Sequence, residues 1–178
     1  MNEIRTLKAE EIDVRVGVVK KNGVSLLLYK DARCDMKILD ETFGITGWQR
    51  SHEEINGQIY CTVSVYDHIK KEWISKEDVG TESNSEKEKG AASDSFKRAC
   101  VNFGIGRELY TAPFIWIGSD MVDIKPKNGG NGYTTYDRFV CLDIGYNENR
   151  EICTLVIAKT SRTGGGVVPV FRMGNSFK

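Results

Sequence analysis

Hydrophobic residues alternate with polar ones in several short segments of this chain, a pattern typical of strands with one buried face. The alternation predicts five strands, at residues 13–20, 24–29, 48–55, 58–66 and 73–79. Asn22-Gly23 and Asn56-Gly57 each lie between two of these segments. Because both residues of such a pair accept a positive φ, each pair predicts a tight hairpin turn.

Two other segments carry hydrophobic residues three or four positions apart, which is the spacing of one helical face. The first is expected to begin at Asp31, a residue type that favours the cap position, and to end at Gly44. Residues 1–12 are expected to form a further short helix, with three aliphatic residues on its apolar side.

The second of these helices is longer and is predicted to end at Gly104. Its apolar side consists of small and aromatic residues, namely Ala92, Phe96, Ala99 or Cys100, and Phe103. Its first turn is expected to be rich in hydroxyl and carboxyl groups, from Ser83 or Ser85, Glu86 and Glu88. The helix dipole favours carboxylates at that end. Lys97 and Arg98 on the other side are typical of a solvated face, so the helical pattern alone does not indicate a binding site.

Three antiparallel strands followed by the long helix give a β-β-β-α core of the α+β class, with the helix packed across one face of the sheet. An N-terminal hairpin and a helix precede this core. A second hairpin is predicted at residues 136–144 and 152–159, followed by a basic tail from Gly164 onward. Exposed edges in a small sheet favour strand pairing between subunits, so an oligomer is expected.

The size and composition of the chain predict one domain. It has 178 residues, of which 40% are hydrophobic and 28% charged, and a single domain over residues 1–178 is expected. No segment has the hydrophobicity of a membrane span, and the charged N-terminus does not resemble a secretory signal, so a cytoplasmic protein is expected. The Cys residues are widely spaced without a Cys-x-x-Cys pair, which favours reduced core thiols over disulfides or zinc ligands.

The formal net charge is zero, which argues against a protein that coats nucleic acid by bulk attraction. The charges are nevertheless unevenly distributed, because the chain from Lys159 onward contains four basic residues and no acidic one. Local potential, rather than total charge, decides whether phosphates bind. A locally basic binding surface is therefore compatible with the composition.

Motifs for covalent or nucleotide chemistry are sparse. His52 and His68 are not at metal-ligand spacing, and neither a Gly-x-Ser-x-Gly elbow nor a phosphate-binding loop occurs. Gly104-Ile105-Gly106 follows a helix rather than a strand, so it is interpreted as the end of that helix. No catalytic residue, metal or cofactor is expected.

A longer run of motifs resembles one protein family. Residues 77–80 read EDVG, residues 88–104 read EKGAASDSFKRACVNFG, and residues 106–110 read GRELY. Upstream, and in the same order as in the family, stand Asp31-Ala32-Arg33, residues 38–41 with the sequence ILDE, Phe43-Gly44 and Trp48. Over about residues 10–116, this run resembles the Rad fifty-two-type single-strand annealing proteins, which include the eukaryotic recombination mediator and the phage proteins called Sak.

The resemblance implies a set of DNA-contacting residues. In the family, an arginine near the first conserved helix, a lysine shortly before EDVG and the lysine of the Lys-Arg-Ala stretch contact DNA, and the matching positions are Arg33, Lys71 and Lys97. Basic neighbours complete the candidate set: Lys70, Arg98 and Arg107. A further family lysine has no counterpart here, and Arg107 is expected to substitute for it. The alternatives are that Arg33 pairs with Asp35 or Glu41 and that Lys71 lies in a solvated turn.

The resemblance implies a ring or helical oligomer that holds single-stranded DNA by its backbone and leaves the bases free to pair with a complementary strand. Such annealing in recombination and repair needs no ATP or metal. The implied partners are single-stranded DNA, further copies of the chain and a single-strand DNA-binding protein, in the cytoplasm of a bacterial or phage-infected cell. Two alternatives remain, a metal-dependent nuclease that uses Glu77 and Asp78 together with Glu86 and Glu88, and a structural oligomer without DNA binding.

Overall fold

The structure is a computed structural model that describes residues 3–81, 87–160 and 166–174. Within these residues the chain is α+β, as expected, with two α-helices and antiparallel strand pairs. It divides into two compact units. The first comprises Lys30–Arg107 and the chain up to Leu7, and the second comprises Lys8–Tyr29 and the chain from Glu108 onward. The single domain expected from the chain length stays a prediction.

The elements of the described chain follow in this order: β1 (Ile12–Lys20), β2 (Gly23–Lys30), α1 (Ala32–Phe43), β3 (Trp48–Ile55), β4 (Gln58–Asp67), β5 (Glu72–Val79), α2 (Lys87–Phe103), β6 (Ile115–Gly118), β7 (Ile124–Pro126), β8 (Tyr133–Thr135), β9 (Arg138–Tyr146), β10 (Ile152–Thr160) and β11 (Val167–Met173). Two short 3-10 helices lie at Ala9–Glu11 and Arg107–Thr111. Neither α-helix of the described chain is long and apolar enough to cross a membrane.

The first unit contains the predicted β-β-β-α core. Its sheet has the order β3-β4-β5, and α2 packs against one face of it. Cys61, Val63 and Val65 of β4 are buried on the face covered by α2, as the alternation predicts, and Ser64 on the other face is buried as well. Phe96 of α2 is fully buried and stacks on Trp48, with 6.1 Å between the ring centroids. The alternation in β4 and the helical spacing in α2 therefore describe the two sides of one hydrophobic core.

Local signals set the ends of the elements in this unit. The Asp31 carboxylate accepts a hydrogen bond from the Arg33 N–H at the start of α1, and Gly44 ends that helix with a φ of +81°. Asn56 and Gly57 have φ values of 53° and 78°, so the hairpin turn between β3 and β4 is confirmed. The hydroxyl and carboxyl groups expected at the start of α2, those of Ser83, Ser85, Glu86 and Glu88, lie outside the part of the chain that the structure describes.

The second unit is built around a six-stranded sheet with the order β11-β10-β9-β1-β2-β6. The predicted C-terminal hairpin is confirmed as β9 and β10. The N-terminal strand β1 pairs with β9, through Asp13 with Val140 and Val14 with Phe139. Leu155 and Ile157 of β10 are fully buried. Strands from the two ends of the sequence thus form one sheet.

One expectation for the chain ends is wrong, and another left out a strand. The described residues before β1 form only a single 3-10 turn at Ala9–Glu11 instead of a helix, and the β-branched Ile12 already begins β1. The expected basic tail contains the strand β11, which pairs with β10. Pro169 lies next to a register irregularity of this edge strand, where the missing N–H is tolerated. Residues 164–165 and 175–178 of the tail lie outside the described chain.

Gly23 serves a different purpose from the one that the Asn-Gly pattern predicts. The turn consists of Lys21 and Asn22, and Gly23 is the first residue of β2, opposite Gly118 of β6. A Cβ atom at Gly23 would lie 2.5 Å from the Ile117 carbonyl oxygen. The glycine is therefore required by the close approach of two strands and not by a positive φ.

The cysteines are free, as expected for reduced thiols. Four of the five are buried, and Cys153 is exposed. Burial raises the pKa of Cys61 and of Cys141 to about 11. These two thiols therefore stay protonated and unreactive near neutral pH.

Candidate nucleic-acid interface

Arg33 lies in the first turn of α1, and its side chain is 86% exposed. Its nearest carboxylate is the capping residue Asp31, 3.5 Å from Nε. The partners considered from sequence are occupied elsewhere, since Asp35 is buried and Glu41 binds Arg5 at 2.7 Å. An exposed ion pair is worth less than about 1 kcal/mol, so the Arg33 guanidinium can exchange Asp31 for a phosphate at little cost.

Lys70 and Lys71 lie in the turn between β4 and β5, which Asp67 shapes. The Asp67 carboxylate accepts hydrogen bonds from the N–H groups of Lys70 at 3.1 Å and Ile69 at 2.9 Å, and these bonds lower its pKa. Lys71 has a φ of 57°, and its N–H donates to the Asp67 carbonyl at 2.7 Å. Both lysine side chains are exposed, and Lys70 Nζ lies 4.0 Å from a Glu72 carboxylate oxygen. The turn holds two ammonium groups at one end of the sheet.

Lys97 lies in α2 between the buried Phe96 and the half-buried Arg98. Its side chain is half-buried, and it forms no ion pair with any residue in the described chain. Its carbonyl oxygen accepts a hydrogen bond of 3.3 Å from Lys30 Nζ. Lys97 thus combines a fixed main chain with an ammonium group that forms no ion pair within the described chain, although its charge acts on the buried Asp35 carboxylate.

Arg98 and Arg107 have partners within the first unit. Arg98 Nε lies 3.2 Å from Asp78 Oδ1. Arg107 donates to the Val101 carbonyl at 3.1 and 2.9 Å and to the Asn102 carbonyl at 2.9 Å. These carbonyls belong to the last turn of α2, where helical partners are missing and the dipole favours a cation. Arg107 therefore caps α2, and a DNA contact by either arginine stays a prediction.

A buried ion pair lies next to Lys97. Lys30, the last residue of β2, is 6% exposed, and its ammonium group donates to Asp35 of α1 as well as to the Lys97 carbonyl. Asp35 has no exposed surface, and its Oδ2 atom has no hydrogen-bond partner among the described residues. Burial raises the pKa of Asp35 to about 6, against the opposing charges of Lys30 and Lys97. The sequence patterns that identified the candidate residues did not predict this buried ion pair.

Two exposed cations beside α2 were also missed by the sequence patterns. The Arg50 guanidinium carbon lies 4.5 Å from the Phe96 ring centroid, and Lys76 Nζ donates to the Asn102 carbonyl at 2.6 Å. Arg50 of β3 and Lys76 of β5 both lie opposite Val63 of β4, so they share the face that carries α2. Counting outward from the turn between β3 and β4 would have placed Arg50 on this face.

Two carboxylates of the nuclease alternative, those of Glu77 and Asp78, lie on opposite faces of the sheet, and the side chains of Glu86 and Glu88 lie outside the part of the chain that the structure describes. Glu77 is opposite Thr62 and accepts a hydrogen bond of 2.7 Å from its hydroxyl, whereas Asp78 lies on the α2 side against Arg98. Neighbouring residues of a strand alternate between faces, so these carboxylates cannot share one metal ion. Within the described residues there is no group of three or more side chains arranged to hold a metal.

The first unit and part of the second match a known family. The model of the Rad52/22 family of double-strand break repair proteins matches residues 4–127, well over half of the chain. The chain belongs to the Rad52/22 family. The Rad52/22 match contains the whole β-β-β-α core with Arg33, Lys71 and Lys97, and it ends before β8. The strands β9, β10 and β11 lie beyond the region that matches the family.

A curated relative matches just over half of the chain. The chain is 34% identical over 105 residues to the single-stranded DNA-binding protein DdrA of Deinococcus radiodurans. The alignment covers 58% of this chain and 49% of DdrA, so the chain spans about half the length of this relative. No solved structure matches the chain.

Proposed function

We propose that this Rad52/22 family member binds single-stranded DNA and anneals it to a complementary strand in DNA recombination and repair. The observation that carries the proposal is the family match over residues 4–127, which includes the structural core with Arg33, Lys71 and Lys97. The similarity to a relative named for single-stranded DNA binding supports the same ligand.

Phosphates are the proposed points of contact. Arg33 and Lys71 are exposed, Lys97 is half-buried, and none of the three is held by a strong ion pair in the described chain. Cations of this kind bind the sugar-phosphate backbone without reading sequence. The bases then remain free, and Watson-Crick pairing with the second strand supplies the specificity. This mechanism needs neither ATP nor a metal.

The salt dependence of binding tests the proposal directly. Each phosphate contact to a single strand contributes about 0.7 to the slope of log Kobs against log salt concentration. We expect Lys71→Ala and Lys97→Ala each to weaken binding of a labelled single-stranded oligonucleotide and to reduce this slope by about 0.7. Fluorescence anisotropy without added metal, over a series of salt concentrations, measures both quantities.

Lys21→Ala is the matched control, since Lys21 is an exposed lysine in the turn between β1 and β2 and outside the candidate set. Its slope and affinity are expected to stay close to those of the wild type. A folded wild-type protein that shows no salt-sensitive binding would refute the proposal. Annealing itself is measured by energy transfer between two labelled complementary strands, and a wild type that binds but does not accelerate pairing would refute the annealing step.

A homo-oligomeric ring is part of the proposal. In the described part of the first unit, β3 and β5 are the edge strands of a three-stranded sheet. Edge strands offer unpaired N–H and C=O groups to another chain. Light scattering after gel filtration measures the mass of the assembly, and negative-stain microscopy shows its shape. A protein that anneals DNA as a monomer would rule out the ring.

The proposed setting is the cytoplasm of a bacterial or phage-infected cell, with a single-strand DNA-binding protein as a further partner. This partner is expected to cover the strands before annealing begins. The rate of annealing of strands that are already coated with such a protein tests this partnership. Complete inhibition of annealing by the coating protein would contradict the partnership.

A further inference from the structure

The buried Lys30–Asp35 pair is connected to two of the proposed DNA-contacting residues, to one by a hydrogen bond and to the other along the chain. Asp35 is two residues after Arg33 in α1, so the carboxylate and the exposed guanidinium belong to the same first turns of this helix. The Lys30 ammonium group binds Asp35 and also the Lys97 carbonyl, at 3.3 Å. One side chain therefore ties the Arg33 end of α1 to the Lys97 position of α2.

Gly106 makes room for this bridge. It has a φ of +69°, and a Cβ atom at this position would collide with Cδ and Cε of Lys30. The same atom would also contact Leu7 at 3.6 Å. The glycine pair after α2 thus has a role beyond ending the helix, because its second member leaves space for the Lys30 stem.

General physical chemistry does not require charges at this place for stability. Removing two charges from water is costly, and replacing a buried ion pair by apolar residues of similar volume often leaves a protein as stable or more stable. The pair here is also incompletely satisfied, since Asp35 Oδ2 lacks a hydrogen-bond partner among the described residues. What an apolar pair does not supply is a directed bond to the Lys97 carbonyl.

We infer that Lys30 and Asp35 are positioning residues for the proposed DNA-binding surface, because they hold α1 with Arg33 and α2 with Lys97 in the relation that lets both cations meet one strand. Neither residue touches DNA, since both are buried. The inference rests on the proposed function. It predicts that the benefit of the Lys97 ammonium depends on an intact Lys30–Asp35 bridge.

A double-mutant cycle tests this dependence. Lys97→Ala is introduced into the wild type and into a variant with Lys30→Met and Asp35→Leu, and affinity for a labelled single strand is measured by anisotropy. In the wild type we expect Lys97→Ala to weaken binding about tenfold, as for the loss of one charge-assisted hydrogen bond. In the apolar variant the same change is expected to have less than about a threefold effect. Arg33→Ala is tested in the same way.

A second variant, Lys30→Gln, tests the same dependence if the protein with Lys30→Met and Asp35→Leu does not fold. Lys30→Gln is neutral and one atom shorter, so it cannot reach both Asp35 and the Lys97 carbonyl. Circular dichroism and assembly mass are measured for every variant. The control replaces an exposed ion pair of β1, Arg15 and Asp13 at 3.3 Å, by Arg15→Met with Asp13→Asn, and here the Lys97→Ala effect should stay near tenfold.

The outcomes separate the inference from the proposed function. A reduced Lys97→Ala effect in both bridge variants, with fold and assembly retained, supports a positioning role. A wild type that binds DNA while Lys97→Ala has the same effect in every background overturns the inference and leaves the proposed function intact. A folded wild type that does not bind single-stranded DNA overturns both.

Discussion

Replacing Gly106 by alanine tests how the fold accommodates the buried ion pair. Gly106 has a φ of +69°, a left-handed conformation in which an L-residue such as alanine costs about 1–2 kcal/mol. The added methyl group would also collide with Cδ and Cε of Lys30. These carbons cannot move aside freely, because Lys30 is 6% exposed and Asp35 holds its ammonium group.

The magnitude follows from these two costs. If the methyl group displaces Lys30, the Asp35 carboxylate loses its partner inside the protein, which typically costs about 3–5 kcal/mol. The free energy of unfolding of Gly106→Ala should therefore fall by about 4–7 kcal/mol. Gly57→Ala is the matched control in the same unit, since Gly57 has a φ of +78° and an added methyl group there would meet no atom within 4 Å. It should lose only about 1–2 kcal/mol.

Urea unfolding followed by tryptophan fluorescence, at one fixed protein concentration, measures both losses. The excess loss of Gly106→Ala should disappear in a Lys30→Ala background, where the methyl group meets no lysine stem. Equal losses for Gly106→Ala and Gly57→Ala would refute the reasoning, because they would show that Lys30 moves aside at no cost.

Three further predictions concern stability. Burial raises the Asp35 pKa from 3.8 to about 6, so the folded protein binds this proton more tightly than the unfolded chain does. Protonation of Asp35 therefore adds to the free energy of unfolding; the gain is complete below about pH 4 and is lost as the pH rises through about 6. Relative to Asp35→Asn, the wild type should gain up to about 3 kcal/mol between pH 7 and pH 4 in urea unfolding, and a change of opposite sign would contradict the raised pKa. Phe96→Ala should lower the free energy of unfolding by about 3–5 kcal/mol, since Phe96 is fully buried against Trp48; a loss below about 1 kcal/mol would contradict this packing. Gly23→Ala should cost about 1–3 kcal/mol and reduce hydrogen-exchange protection in β6, and unchanged protection would contradict the close approach to Ile117.

The candidate site was only partly accessible from sequence. Arg33, Lys71 and Lys97 were identified as candidates because the family motifs are continuous stretches that can be matched residue by residue. Arg50 and Lys76 belong to no such motif, and they are recognised beside α2 only through strand register. Arg107 was identified as a candidate cation, but its bonds to the end of α2 depend on the path of the chain after the helix.

The features that local sequence specifies are those whose interactions lie within a few residues. Asp31 caps α1 two residues away, Asn56-Gly57 forms a turn between adjacent strands, and alternation within β4 sets its buried face. The family follows from the same short motifs. The strand β11 was missed because its pairing partner and sheet lie in other parts of the chain.

The features that packing specifies involve residues far apart in sequence. Lys30 meets the Lys97 carbonyl across 67 positions, and Gly23 is constrained by a strand near residue 117. Such contacts leave no periodic pattern in the sequence. Whether a charge or a glycine Cα is buried depends on which distant segments pack against it. Short-range chemistry therefore identifies the elements and the family of this protein. The buried bridge beside the candidate DNA-binding residues exists only once its helices have packed together.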